Sequence, residues 1–109
     1  LVKMIRPGTV WADVWGRAEN MARDAGLLDH FMGMGQERVR FVGHGVGLEL
    51  DELPVFAGGF DQVLETGMTF ALEPKFVFEQ GAVGIENTFV LTETGVEPLT
   101  RFDQNIYYV

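Results

Sequence analysis

GMTFALEPKFVFEQGAVGIENTFVLT, residues 67–92, is the stretch on which the fold turns. Apolar, β-branched and aromatic residues dominate two runs, Met68–Phe78 and Ala82–Thr92. Between them, Glu79-Gln80-Gly81 has the shortness and the glycine of a tight connection, so the segment reads as a β-hairpin. A hairpin centred on Glu79-Gln80 pairs residues symmetrically about that point, which sets Glu73 directly opposite Glu86. Their neighbours are mostly apolar: Phe70, Ala71 and Leu72 before Glu73, and Val83, Ile85, Phe89 and Val90 around Glu86. Two like charges facing each other in such a sheet are destabilising. Either they lie on a wet face, or one takes up a proton, or a cation sits between them.

Upstream of the hairpin the pattern changes period. Ile5-Arg6-Pro7-Gly8-Thr9 reads as a turn, with Thr9 as the N-cap of a helix. From Val10 to about Ala25 the apolar positions Val10, Trp11, Val14, Trp15, Ala18, Met21, Ala22 and Ala25 recur at helical spacing, and Gly26 closes the helix. Trp11 and Trp15 belong to that stripe and are read as packing residues. Asp29–Gln36 is a connection in which His30 is a solvated side chain rather than a ligand. Val39–Val42 is a short strand and 56–65 a loop turning at Gly58-Gly59. Downstream, Glu93-Thr94-Gly95 turns into a short strand, Val96–Thr100, and 106–109 is a last edge strand or packing segment. A helix followed by an antiparallel meander is an α+β arrangement.

His44 stands in Gly43-His44-Gly45-Val46-Gly47, read as lying just past a strand end. Glycine lets the backbone turn sharply or pass close to another group, so such a loop can present an imidazole at a fixed point above a sheet. A phosphate loop is excluded: the dinucleotide pattern needs Gly-x-Gly-x-x-Gly opening a helix, and here Pro54 follows soon after the glycines. On spacing alone two readings stand. Either His44 and the facing glutamates hold a metal, or His44 is bonded to backbone and the glutamates face solvent.

Composition narrows the classes. The 109 residues are 47% hydrophobic and 22% charged, enough for one core, so 1–109 is read as a single unit and not as a disordered chain. No apolar run approaches the roughly 18 residues of a membrane span, since Glu73, Pro74 and Lys75 interrupt the longest. The absence of cysteine excludes disulfides, thiolate metal sites and a thiol nucleophile, and fits a reducing compartment, with the cytoplasm the expected location. Any metal would be held by imidazole and carboxylates, which suits Zn, Mn, Fe or Co. A formal net charge of -8 is repelled by nucleic acid and by anionic membranes, so neither is an expected partner. The chain opens at Leu1 directly into patterned sequence, as a piece of a longer polypeptide would.

Three segments in order carry a resemblance: Phe41–Leu50 around Gly43-His44-Gly45, then Gly67–Pro74 ending in Glu73-Pro74, then Gly84–Gly95 around Glu86-Asn87-Thr88. Together with Arg6-Pro7-Gly8 before a helix, they resemble the pita-bread metallopeptidases, a family that includes methionine aminopeptidase, aminopeptidase P, prolidase and the non-peptidase creatinase. The prolidase and aminopeptidase P branch is the nearest in pattern. The resemblance implies the C-terminal half of a pita-bread fold, a helix packed on a curved antiparallel sheet. It implies that His44, Glu73 and Glu86 are ligands of a two-metal site (Mn, Zn, Co or Fe), that Glu86 bridges both ions, and that Glu73 also serves as general acid or base. Two aspartate ligands of the family would lie upstream of this chain. The implied reaction is hydrolysis of a peptide bond by a metal-activated water, with a peptide as substrate and Xaa-Pro bonds as targets.

The pattern departs from the family at Asp51, where its peptidases usually carry a substrate-positioning histidine, and more weakly at Arg40. Asp51 favours one alternative, a catalytically lapsed binding module. A creatinase-like hydrolase of C–N bonds in a small molecule is another. For the chain itself, half of a pita-bread sheet exposes a strand edge, and association into a homo-oligomer, a two-fold dimer in its simplest form, is expected.

Overall fold

The computed structural model describes residues 1–105 and Tyr107. Its one α-helix, α1, spans Trp11–Asp24, and seven strands follow: β1 Phe41–Gly45, β2 Glu52–Ala57, β3 Thr69–Leu72, β4 Lys75–Phe78, β5 Gly81–Gly84, β6 Asn87–Thr92 and β7 Gly95–Pro98. Five form an antiparallel sheet in the order β2-β1-β3-β6-β7, while β4 and β5 form a separate two-stranded ribbon. The α+β arrangement with the helix first is as expected; β1, β3, β6 and β7 follow one another as the expected meander, but β2 folds back onto the outer edge of β1. Among the described residues no helix is long and apolar enough to cross a membrane. Of the anticipated closing segment, Ile106, Tyr108 and Val109 lie outside the described residues.

The helical stripe does what its spacing requires. Trp11, Val14, Trp15, Ala18 and Ala22 are buried against the sheet, whereas Met21 and Ala25 at the margin of the stripe are exposed. Trp11 stacks on Phe56 of β2 at 4.2 Å between centroids and meets Phe70 of β3 edge-on at 6.2 Å; Phe70 in turn approaches Phe89 of β6 at 5.9 Å. Four aromatics on four elements thus pin the helix across the sheet. At the C-terminus, Gly26 adopts φ 71° and donates to the Arg23 carbonyl while Leu27 donates to that of Ala22. That pair of bonds is the Schellman closure Gly26 was expected to make.

The N-cap is different from the expectation. Val10 occupies it without a side-chain bond, and the Thr9 hydroxyl instead accepts from the Arg6 N–H and donates to the Met4 carbonyl. Thr9 stabilises the preceding turn rather than the helix. The helix start is held by the sheet side of the molecule, through Trp11 and Ala12 N–H groups donating to the Gln62 and Phe60 carbonyls.

β2 runs through Glu52-Leu53-Pro54, which the sequence reading left outside any strand, and ends where the loop was placed. It lies at the sheet edge, where a proline's missing N–H costs no ladder bond. The two long strands of the hairpin are each broken in two. Pro74 cannot donate, and at that point the ribbon β4–β5 leaves the main sheet to pack on the Leu28–His30 turn and Phe31. Phe31 pairs with Phe76 and stands 5.8 Å from Trp15. His30 is half-buried rather than solvated: its ring packs on Phe78 at 4.5 Å and Nδ1 lies 2.9 Å from the Val77 carbonyl.

Candidate metal centre

The hairpin register survives the break. In the main sheet Leu72 pairs with Asn87, and in the ribbon Lys75 pairs with Gly84. The same pairing therefore runs through both ladders and leaves Glu73 opposite Glu86, and Pro74 opposite Ile85, in the gap between them. Ile85 N–H donates to the Pro74 carbonyl at 3.2 Å and Glu73 N–H to the Val42 carbonyl at 3.0 Å, so the gap remains bonded.

His44 does not follow a strand; it is inside one. β1 extends through Gly45, with His44 paired to Ala71 of β3 and to Val55 of β2. The strand continues because its glycines are needed for proximity. A Cβ on Gly43 would fall 2.1 Å from the Ala71 carbonyl oxygen and 2.9 Å from the Phe56 ring, and one on Gly45 would lie 3.0 Å from the Glu52 carbonyl oxygen. None of Gly43, Gly45 and Gly47 has a positive φ, so the motif is a close-packing device and not a turn.

Pairing and alternation then assemble a face. Phe70 points to the helix side of β3, so Ala71 and Glu73 point to the other. Ala71 is paired with His44 on one side and Thr88 on the other, which puts His44, Ala71 and Thr88 in one row and Glu73 and Glu86 in the next. His44 is buried; its Nε2 stands 3.6 Å from Glu73 Oε1. Its Nδ1 lies 3.0 Å from the Gly45 carbonyl and 3.2 Å from Asp51 Oδ1. Glu73 is half-buried and Glu86 exposed. Burial pushes the Glu73 carboxyl above the ordinary glutamate range, and the charge of Glu86 adds to the shift; His44 and Lys75 oppose it, and Asp51 contributes least.

The residues come together unequally. His44 and Glu73 are in contact, while Glu86 joins by register and by its field on Glu73. Among the described residues no group of three or more His, Asp or Glu side chains is arranged to hold a metal ion, and no lysine or arginine forms an ion pair with Glu73 or Glu86. The donor set nonetheless suits a divalent transition metal: one imidazole nitrogen, and two facing carboxylates that lack a cationic partner. Sequence reasoning identified Asp51 as a departure but missed its contact with the His44 ring, which only the path of the chain into β2 reveals. It also missed Thr88, the row neighbour of His44, since nothing marks a threonine in a strand. An apolar cavity of about 690 Å³ between α1 and the ribbon is lined by residues such as Ala22, Phe31 and Phe76 and by none of the three acid or imidazole groups.

The family model described as metallopeptidase family M24 matches residues 1–93. The chain is 35% identical over 103 residues to an Xaa-Pro dipeptidase of Lactobacillus delbrueckii subsp. lactis, covering 93% of this chain and 26% of that protein. It is 30% identical over 106 residues to an Xaa-Pro dipeptidase of Pyrococcus furiosus, covering 96% and 28%. Among solved structures, the X-Pro aminopeptidase of Thermotoga maritima superposes with a TM-score of 0.86 at 28% identity, over 99% of this chain and 29% of that one. The prolidase of Pyrococcus furiosus gives 0.80 at 31% identity, over 92% and 28%. The chain spans about a quarter of the length of the curated relatives it matches.

Proposed function

The chain belongs to metallopeptidase family M24, and from that membership we propose that it is the C-terminal part of a pita-bread catalytic domain in a metal-dependent exopeptidase of the Xaa-Pro dipeptidase kind. The observation that carries the reading is the contact of the buried His44 with Glu73 beside a facing Glu86, three donors on one sheet face. His44, Glu73 and Glu86 would hold the divalent metal, with further carboxylates contributed from outside this chain. The metal, when bound, supplies a water acidic enough to attack a peptide carbonyl near neutral pH. Glu73, held on a rigid strand beside His44, is placed to take a proton from the attacking water and return it to the leaving amine. The sheet holds these groups on rigid strands, and α1 on the opposite face excludes water from beneath them. Copies of the chain associate through apolar groups outside the site, Leu48, Leu50 and Leu53 being exposed.

The test is Glu86→Gln in the full-length protein, with metal content and product analysis read together. The expected result is loss of metal and of cleavage of proline-containing dipeptides. Undiminished metal content in the variant would overturn the ligand assignment. Turnover of creatine-like substrates in place of dipeptides would overturn the peptidase reading and leave the ligands standing.

A further inference from the structure

His44 is buried, yet the contact on its Nδ1 comes from a residue at the surface: the Asp51 side chain is 70% exposed and that of His44 only 6%. Asp51 immediately precedes β2, whose first residue, Glu52, pairs with Gly45. The ladder therefore fixes where the Asp51 backbone stands relative to the imidazole. The intervening turn is tied down as well, with Gly47 N–H donating to the Glu49 carbonyl and Glu49 N–H to Glu52 Oε1.

Both oxygens at Nδ1 are acceptors. The Gly45 carbonyl has no hydrogen to give, and neither has an ionised Asp51 carboxylate, so the ring nitrogen between them must carry the proton. In the neutral ring the lone pair is then on Nε2, the nitrogen that faces Glu73 Oε1 at 3.6 Å. That separation is too long for a hydrogen bond. Lone pair and carboxylate face each other as two donors toward a common cation.

We propose that Asp51 is a positioning residue for His44: its carboxylate oxygen, 3.2 Å from Nδ1, favours electrostatically the Nδ1–H that the Gly45 carbonyl accepts, and so holds the ring in the tautomer that directs the Nε2 lone pair to the metal face. The proposal rests on the reading of His44 as a ligand. It gives Asp51 a role distinct from contact with substrate. A carboxylate behind a ligating imidazole orients the ring and increases its basicity, an arrangement whose removal typically costs 10–100-fold in metal affinity.

The experiment uses metal-free, nitrogen-labelled full-length protein at about pH 8, where an ordinary imidazole is neutral, and reads the His44 ring-nitrogen shifts. The wild type is expected to show the Nδ1–H tautomer and Asp51→Ala a population shifted toward Nε2–H. Asp51→Asn, which retains an acceptor oxygen, is expected to keep the wild-type tautomer. Asp51→Ser gives the same comparison should the alanine variant fail to fold. An unchanged tautomer in the truncated variants, or Nε2–H in the wild type, overturns the proposal, since Gly45 alone would then suffice or the ring would be reversed. A parallel Zn²⁺ titration separates this from the underlying reading. Asp51→Ala is expected to lose at least about tenfold in Zn²⁺ affinity, and a wild type that takes up no Zn²⁺ fails the ligand reading while the tautomer comparison still decides the role of Asp51.

Discussion

Glu73 and Glu86 face each other at the break in the hairpin, with Leu72 paired to Asn87 on one side and Lys75 to Gly84 on the other. The bend at Pro74 separates the ribbon from the sheet without slipping the register, so a pair of carboxylates is held opposite at the seam. Burial and the facing Glu86 charge together raise the proton affinity of Glu73. This relationship has consequences for stability that do not depend on any metal.

A carboxyl whose pKa is higher in the folded than in the unfolded chain binds its proton more tightly when folded. Its contribution to stability is present below the unfolded value and is lost as pH rises through the folded one. The metal-free wild type should therefore gain stability relative to Glu73→Gln as pH falls from neutrality into the ordinary carboxylate range. Urea midpoints of both proteins across that range check this, and parallel curves or a gain of the opposite sign would refute it.

Gly43 is confined by backbone. A methyl group there would overlap the Ala71 carbonyl at 2.1 Å and press on the Phe56 ring at 2.9 Å, so β1 and β3 would have to part. Gly43→Ala is expected to destabilise by about 2–3 kcal/mol, in the upper range for overpacking. The measurement is the urea midpoint at constant m-value, and a loss below about 0.5 kcal/mol would show that the strands yield easily.

Gly16 gives the opposite expectation. It lies inside α1, and among the described residues nothing beyond the helix's own neighbouring backbone comes within 4 Å of where its Cβ would be. Gly16→Ala should stabilise by about 0.5–1 kcal/mol, because alanine loses less backbone freedom in a helix than glycine does. Thermal and urea unfolding both report it, and destabilisation would mean that the helix meets a surface at this position.

Leu48 and Leu50 project from the segment leading into β2 and Leu53 from the strand itself, which is a sheet edge. Self-association through these groups predicts that replacing all three with serine lowers the sedimentation coefficient at high protein concentration, with His44 and Glu73 left in place. A wild type that sediments as a monomer throughout would defeat the expectation.

The hairpin register was legible in the sequence because a tight turn fixes pairing locally: once Glu79-Gln80 is the centre, Glu73 can only face Glu86. The helix was legible for a similar reason, since Trp11, Val14, Trp15, Ala18 and Ala22 repeat at a period that only a helix can bury on one side. The element boundaries were less so. Thr9 looked like a cap and most of β2 was left without an assignment, because a hydroxyl or a proline has several uses and burial at a sheet edge chooses among them.

By itself, then, the sequence determined the α+β order, the helical stripe, the facing glutamates and the motif that carries His44. Tertiary structure alone decided that His44 lies inside a central strand, that its neighbouring glycines are there for close approach, and that its two ring nitrogens meet Glu73 and Asp51. The physical reason is range. Period and turn chemistry act between residues a few positions apart, whereas a contact such as His44–Glu73 exists only when β1 is placed beside β3 by a core of Trp11, Phe56 and Phe70 on the far side of the sheet.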